Sequence, residues 1–361
     1  MNIPDIIPLF PNRVWRTYEG GMLLDKLEGK EAPKDSHFPE DWIASTTSAK
    51  NEGREHIKNE GLSKVLIDGE EFYLKDLMRK CPYKLLGENH HQNYGPEPQI
   101  LLKLLDSAIR LHIQCHPTRT FAQKHLNANS GKTEAYYILH TREDVKDPYI
   151  YLGFQNPPSP KELETTILKQ DTQALLSYFE KIPIQEGDSF IVPGGLPHAI
   201  GEGIFMIEIM EPTDFCVRIE FQRGDYLLPE EARFMARDVN FAISMFDYQQ
   251  ISIDQIRNQY FISPKWIKTY SDGSEEFSLI DESITNCFRL KKLIIEDSIQ
   301  KSENSFYIGI VISGQGRIVS KETNFSHKLR EGDKFFVPYK TGTLKYSSAS
   351  QMVLILAYPP F

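Results

Sequence analysis

The stretch Gly187-Asp188-Ser189-Phe190-Ile191-Val192-Pro193-Gly194-Gly195-Leu196-Pro197-His198 decides how this chain is read. Phenylalanine, isoleucine and valine favour a strand, and Pro-Gly-Gly favours a sharp reversal. The sequence therefore predicts a strand, a tight turn and a histidine opening the next strand. A histidine fixed just past such a turn can point into a β-barrel and hold a metal. A plain hairpin with a surface histidine gives the same local pattern.

The stretch recurs. Gly332-Asp333-Lys334-Phe335-Phe336-Val337-Pro338 repeats it at Gly, Asp, Phe, Val and Pro. Strand-like runs at 288–296 and 306–319 precede this second copy, with Gly314-Gln315-Gly316 marking a turn. The repeat predicts a mainly β chain of two tandem jelly-roll modules joined by short helical connections. The expected divisions are a first module over 1–225, a helical connection over 226–262 and a second module over 263–361. The second copy runs on as Tyr339-Lys340-Thr341 without a histidine, and His327 lies before it, so no metal is expected there.

The partners of His198 lie upstream. Leu111-His112-Ile113-Gln114-Cys115-His116-Pro117 alternates with period two, which sets His112, Gln114 and His116 on one face of a strand. Gly131-Lys132-Thr133-Glu134 leads into the apolar run Ala135-Tyr136-Tyr137-Ile138-Leu139, with Glu134 at its edge. Imidazole and carboxylate are common zinc ligands, and an incomplete protein shell leaves room for water or substrate. Taken singly, each residue has a plainer reading: a structural histidine for His112, a solvated carboxylate for Glu134, a cross-strand hydrogen bond for Gln114. Together they are costly to bury unless something pairs them.

In their order and spacing, Gln114-x-His116-Pro117, Gly131-Lys132-Thr133-Glu134, Pro193-Gly194-Gly195-Leu196-Pro197-His198-Ala199 and Arg218 resemble type I mannose-6-phosphate isomerase, a cupin-superfamily enzyme, in its shorter bacterial form. The likeness extends to Ile7–Trp15 and Gly20-Gly21, is close over residues 1 to about 220, and is architectural beyond. It implies one Zn2+ per chain held by His116, Glu134 and His198, with Gln114 a fourth ligand in some members. It implies that Lys132 binds substrate or handles protons beside the metal, and that Arg218 is the catalytic arginine. His112 stands where many members carry serine, near the sugar-phosphate end of the site, and is a candidate substrate-binding residue. The implied reaction is aldose–ketose isomerisation of mannose 6-phosphate and fructose 6-phosphate through an enediol. Lys132, a metal-bound water and Asp214 are candidate bases, and Arg119, Lys124 and Lys132 are candidate phosphate ligands. Glu202 replaces an asparagine often found four residues after the histidine, and Ile43 replaces the second acid of the family's Trp-Glu-x-Ser stretch. Two other readings stand beside this one. One is a metal-dependent isomerase of another sugar, phosphorylated or not. The other is a non-catalytic sugar-binding cupin, against which the pairing of Lys132 with Arg218 argues.

Composition bounds the partners. The 361 residues are 40% hydrophobic and 25% charged, as in ordinary globular proteins, and suffice for two domains. A net charge of −9 argues against nucleic acid, whose binders carry basic surfaces, but leaves room for a small sugar phosphate held by a local basic cluster. No apolar run approaches the ~20 residues of a membrane span, and neither a leader nor a membrane partner is expected. Cys81, Cys115, Cys216 and Cys287 lack paired spacing, which suits free thiols in a reducing cytoplasm. The chain is expected to act as a monomer or homodimer. Helices are expected from Ser159-Pro160 to Gln170, from Asp171 to Lys181, from Pro229 to about Met245 and from Ser252 to Tyr260, and a polar exposed loop at 88–94.

Overall fold

The computed structural model describes residues 3–360. Each half of the chain folds as two facing antiparallel sheets. In the first module a seven-stranded sheet runs in the order Phe261–Ile262, Ser189–Val192, Glu134–Thr141, Ile204–Met210, Leu101–Asp106, Glu40–Ile43, Arg13–Val14. Opposite it lies a five-stranded sheet ordered Ile182–Pro183, Tyr149–Leu152, His198–Ile200, Gln114–Cys115, Val217–Arg218. The second module pairs a seven-stranded sheet with a four-stranded one, Ser298–Lys301, Leu344–Ser348, Gln315–Ser320, Ser326–Arg330. This is the expected pair of jelly-roll modules. The repeated stretches form equivalent strands, Ser189–Val192 and Lys334–Val337.

The two large sheets pack back to back. Leu102, Leu104, Ile207 and Ile209 from the first share one apolar cluster with Leu290, Ile308, Ile310, Ile355 and Phe336 from the second. Alternate residues of the same strands, such as Leu101, Lys103 and Leu105, point the other way, into the first module. Strands covered on both faces read as unbroken apolar runs, and Leu101–Asp106 is buried at every position.

Ile7–Leu9, which the sequence assigns to the first module, pairs instead with the second, in the register Ile7↔Phe336, Pro8↔Phe335, Leu9↔Lys334. The runs at 288–296 and 306–319 form strands Arg289–Ile295 and Tyr307–Ser313, which flank Met352–Tyr358 and do not pair with each other.

The connecting helices depart from expectation where local geometry intervenes. Pro160–Lys169 begins at a capping box, Ser159 with Glu162, and Ile253–Tyr260 at another, Ser252 with Gln255. The helix capped by Asp171 is shorter than expected, Thr172–Ser177. The segment after Pro229 is not one helix. It forms Glu230–Arg233 and Val239–Ile243, separated by Met235 and Ala236 in the left-handed region (φ 56° and 57°). Residues 88–94 form a helix, Glu88–Tyr94, where a loop was expected. Its His90 bonds the Glu97 carbonyl at 2.8 Å and packs edge-on against Phe306 of the second module, so tertiary contact stabilises this polar segment. Among the described residues no helix is long and apolar enough to cross a membrane.

Candidate metal centre and active site

Strand register assembles the site. In the five-stranded sheet His198 pairs with Gln114, and Gln114 with Arg218, so three candidate residues lie side by side across neighbouring strands. Glu134 opens its strand in the facing sheet, opposite Val192 and Met210. Two motif glycines allow close approach at the loop after His116. A Cβ on Gly131 would lie 2.6 Å, and one on Gly194 2.5 Å, from the Pro117 carbonyl oxygen, closer than any side chain tolerates. The glycines are thus packing requirements of the three segments that carry His116, Glu134 and His198.

Those three residues are buried and converge, with candidate ligand atoms all within 4.8 Å of one another. His116 Nδ1 donates to the Phe215 carbonyl (2.8 Å) and His198 Nδ1 to the Leu196 carbonyl (2.9 Å). Because a carbonyl only accepts, both rings turn an Nε2 lone pair toward Glu134, at 3.1 and 3.4 Å from its oxygens. Burial holds the His116 imidazole down to about 3, so it stays neutral, as a metal ligand must. Burial would raise the Glu134 carboxyl, but the charge of Lys132 beside it overcomes this and holds it well below the usual carboxylate range. Tyr136 donates its hydroxyl to Glu134 Oε2. Oε1 lies 2.9 Å from Lys132 Nζ but without hydrogen-bond geometry, leaving a buried acceptor without a donor. Lone pairs facing a buried carboxylate fit a divalent cation. Gln114 Nε2 approaches His198 Nε2 at 3.3 Å, and its Oε1 accepts from the Cys216 thiol at 3.0 Å, so the amide borders the cluster as a fourth candidate.

Beside the cluster is a cavity of about 20 Å³, lined among others by His112, Gln114, Lys132, Glu208 and Arg218. Lys132 Nζ also lies 3.1 Å from His116 Nε2. The Arg218 guanidinium is buried and donates to the Ala232 carbonyl (3.1 Å). His112 Nδ1 donates to the Glu220 carbonyl (2.8 Å), and its Nε2 has no hydrogen-bond partner. Burial, reinforced by the Arg218 charge, holds His112 down to about 3. Asp214 is a weaker candidate base than the sequence suggests. Burial would raise its carboxyl, but two bonds from Arg16 (3.1 and 3.2 Å) and the charges of Lys132 and Lys103 hold it well below the usual range. Arg119 and Lys124 line neither this cavity nor its mouth: Arg119 bonds Glu211 at 2.8 Å and reaches Cys287, and Lys124 is exposed on the helix Arg119–His125.

Sequence reading missed a buried ionic row on the same inner face. Lys103 bridges Glu208 (3.2 Å) and Glu40 (3.4 Å), and Glu40 also receives Tyr18 and Trp42, each at 2.6 Å. Burial raises the Glu208 carboxyl to about 8, with Lys103 opposing and the Glu134 charge adding to the rise. The available signal is a single charge inside an apolar strand: Leu102-Lys103-Leu104 and Ile207-Glu208-Ile209.

No protein-family model matches the chain. Mannose-6-phosphate isomerase ManA of Bacillus subtilis (strain 168) is 26% identical over 277 residues, 74% of this chain and 79% of that protein. Mannose-6-phosphate isomerase of Streptococcus mutans is 28% identical over 334 residues, 92% of each chain. The crystal structure of mannose 6-phosphate isomerase from Bacillus subtilis has a TM-score of 0.74 at 19% identity, covering 98% of this chain and 100% of that one, a likeness that speaks to the fold. Along most of its length the chain is thus similar in sequence to mannose-6-phosphate isomerases, and along nearly all of it the fold is shared.

Proposed function

We propose that the chain is a metal-dependent aldose–ketose isomerase that interconverts mannose 6-phosphate and fructose 6-phosphate. The observation that carries this reading is the buried convergence of His116, Glu134 and His198, with one Glu134 oxygen lacking a hydrogen-bond donor, beside a cavity lined by Lys132, Glu208 and Arg218. The names of the relatives supply the sugar.

The reaction moves a proton between adjacent carbons through an enediol, and negative charge develops on the neighbouring oxygen. A divalent ion held by His116, Glu134 and His198, with Gln114 alongside, supplies Lewis-acid stabilisation of that charge. Zinc suits the nitrogen and oxygen donors. Arg218 adds a fixed positive charge in a water-poor interior, where such interactions are strong. Glu208, raised to about 8, can take up and release a proton near neutral pH, which suits it to carry the proton between carbons. Lys132, next to the ligands, orients a substrate oxygen, and His112 offers a neutral ring to a sugar hydroxyl. The same reading sets the enzyme in the cytoplasm, where its four free cysteines stay reduced, as a monomer or homodimer.

The test is metal content of the purified protein, followed by conversion of fructose 6-phosphate with and without a chelator. Stoichiometric metal and chelator-sensitive formation of mannose 6-phosphate are expected. Bound metal with no turnover of any phosphorylated sugar would overturn the substrate assignment.

A further inference from the structure

A cavity of about 630 Å³ lies at one end of the seam between the two large sheets. It reaches Leu104, Tyr137 and Ile310 of the apolar cluster that the two modules share. Leu27, Leu139, Phe205 and Ile312 also line it and are only partly buried, so both modules leave apolar surface open there. Recesses of roughly 300–1,000 Å³ with mostly apolar walls and a few convergent polar groups are the usual form of a small-ligand site.

The polar groups come from strand alternation. Tyr136 turns into the first module and donates to Glu134, so Tyr137 turns the other way, to the seam. Lys291 and Lys292 part in the same manner. Lys291 points into the second module, 3.1 Å from Glu276, whereas Lys292 lines the cavity. Lys292 is half-buried and, among the described residues, forms no ion pair. Its Nζ donates to the Tyr137 hydroxyl at 3.4 Å. That oxygen accepts, so the phenol keeps its own hydrogen to donate. An ammonium and a phenol O–H thus meet in an apolar recess as two donors carrying one positive charge. A charge set among apolar groups without a partner is costly, and a single anion would offset it. The exposed rim carries Lys26 and His140 but also two carboxylates, Glu186 and Glu331, which disfavour a multiply charged anion at the entrance.

We infer that this cavity is a ligand site separate from the candidate metal centre, and that it takes a monocarboxylate with an apolar tail. The carboxylate sits on Lys292 and Tyr137, and the tail runs along Leu139, Phe205 and Ile312. The inference goes beyond the isomerase reading and does not depend on it.

The experiment is calorimetric titration of decanoate, below its micellar concentration, into the metal-loaded full chain. Butyrate and decanol are the comparison ligands. Saturable binding of decanoate at one site is expected. Butyrate lacks most of the tail and decanol lacks the charge, so each should bind at least about tenfold more weakly. Lys292→Met and Tyr137→Phe should each weaken decanoate about tenfold or more, the usual cost of losing a hydrogen bond to a charged group. Lys292→Arg should stay within about threefold of wild type, since it keeps the charge. Ile312→Glu, at a partly exposed wall position, sets a like charge beside the seat and should abolish binding. Absence of saturable decanoate binding to the wild type overturns the site. So does binding that keeps wild-type strength in either Lys292→Met or Ile312→Glu, the result expected of a carboxylate held at the metal centre instead.

Discussion

At the scale of the residue, the chemistry turns on which charges are already paired. Glu134 ion-pairs with Lys132 at 2.9 Å yet keeps one oxygen without a hydrogen-bond donor, whereas Asp214 is fully engaged by Arg16. His198→Ala removes one of the two imidazole donors and should abolish stoichiometric metal, read by elemental analysis. Arg218→Ala leaves the donors untouched. It should keep the metal and lower kcat by about 10²–10³, the typical loss when one oxyanion-stabilising group is removed. Glu208→Gln is nearly isosteric but cannot exchange a proton. It too should keep the metal and lose turnover by about 10²–10⁴, the usual contribution of general acid–base groups. Near-normal turnover in Glu208→Gln would move the proton-carrying role to Lys132.

At the scale of the element, the motif glycines and the broken segment after Pro229 matter most. Gly194→Ala changes no charge and no ligand, yet its methyl would meet the Pro117 carbonyl at 2.5 Å. The loop after His116 must shift, and the variant should bind metal at least about tenfold more weakly, since displaced supporting groups typically cost 10–100-fold in affinity. Wild-type affinity in Gly194→Ala would show that this loop adapts. Elements also set how far the sequence could be read. The turn before His198 was legible because turn chemistry is local, whereas the expected strand over 111–117 is reduced to Gln114–Cys115, with residues of both parities buried. The break at Met235 and Ala236 was not legible, because neither residue type signals a left-handed backbone. The helix at 88–94 was read as a loop because its stabilising partner, Phe306, is remote in sequence.

At the scale of the whole molecule, the tandem repeat revealed the two modules, and the three residues that converge in the first were legible in its motifs. The ionic row Lys103–Glu208–Glu40 went unread because pairing across strands is invisible until register is known. The second module has an ionic cluster of its own, where Glu276 meets Lys301 (2.7 Å), Lys291 (3.1 Å) and the Tyr270 hydroxyl (2.8 Å). Burial opposes ionisation of Glu276, but Lys301 and then Lys291 bring its carboxyl down to about 2 from an ordinary 4.5. A carboxyl lowered by folding stabilises the native state above its unfolded value, and that stability is lost as pH falls from about 4.5 toward 2. Glu276→Gln should therefore cost about 3 kcal/mol at pH 7, as expected for breaking a buried pair. The gap to wild type should close across that acid window, as read by denaturant titration at several pH values. A gap unchanged down to pH about 2 would remove the ion pairs as its cause.

The crossing of Ile7–Leu9 into the sheet of Lys334–Val337 has a consequence for synthesis. A ribosome delivers the first strand of this protein long before its partner exists. The nascent chain must hold an apolar, unpaired N-terminal segment until the second module emerges, and early release would leave that segment open to aggregation. The same stitch means that a gene fragment ending after the first module yields a chain missing the partner of its own beginning. The half that holds the candidate metal centre is thus not a portable unit, and recombination is expected to pass on the two modules together or not at all.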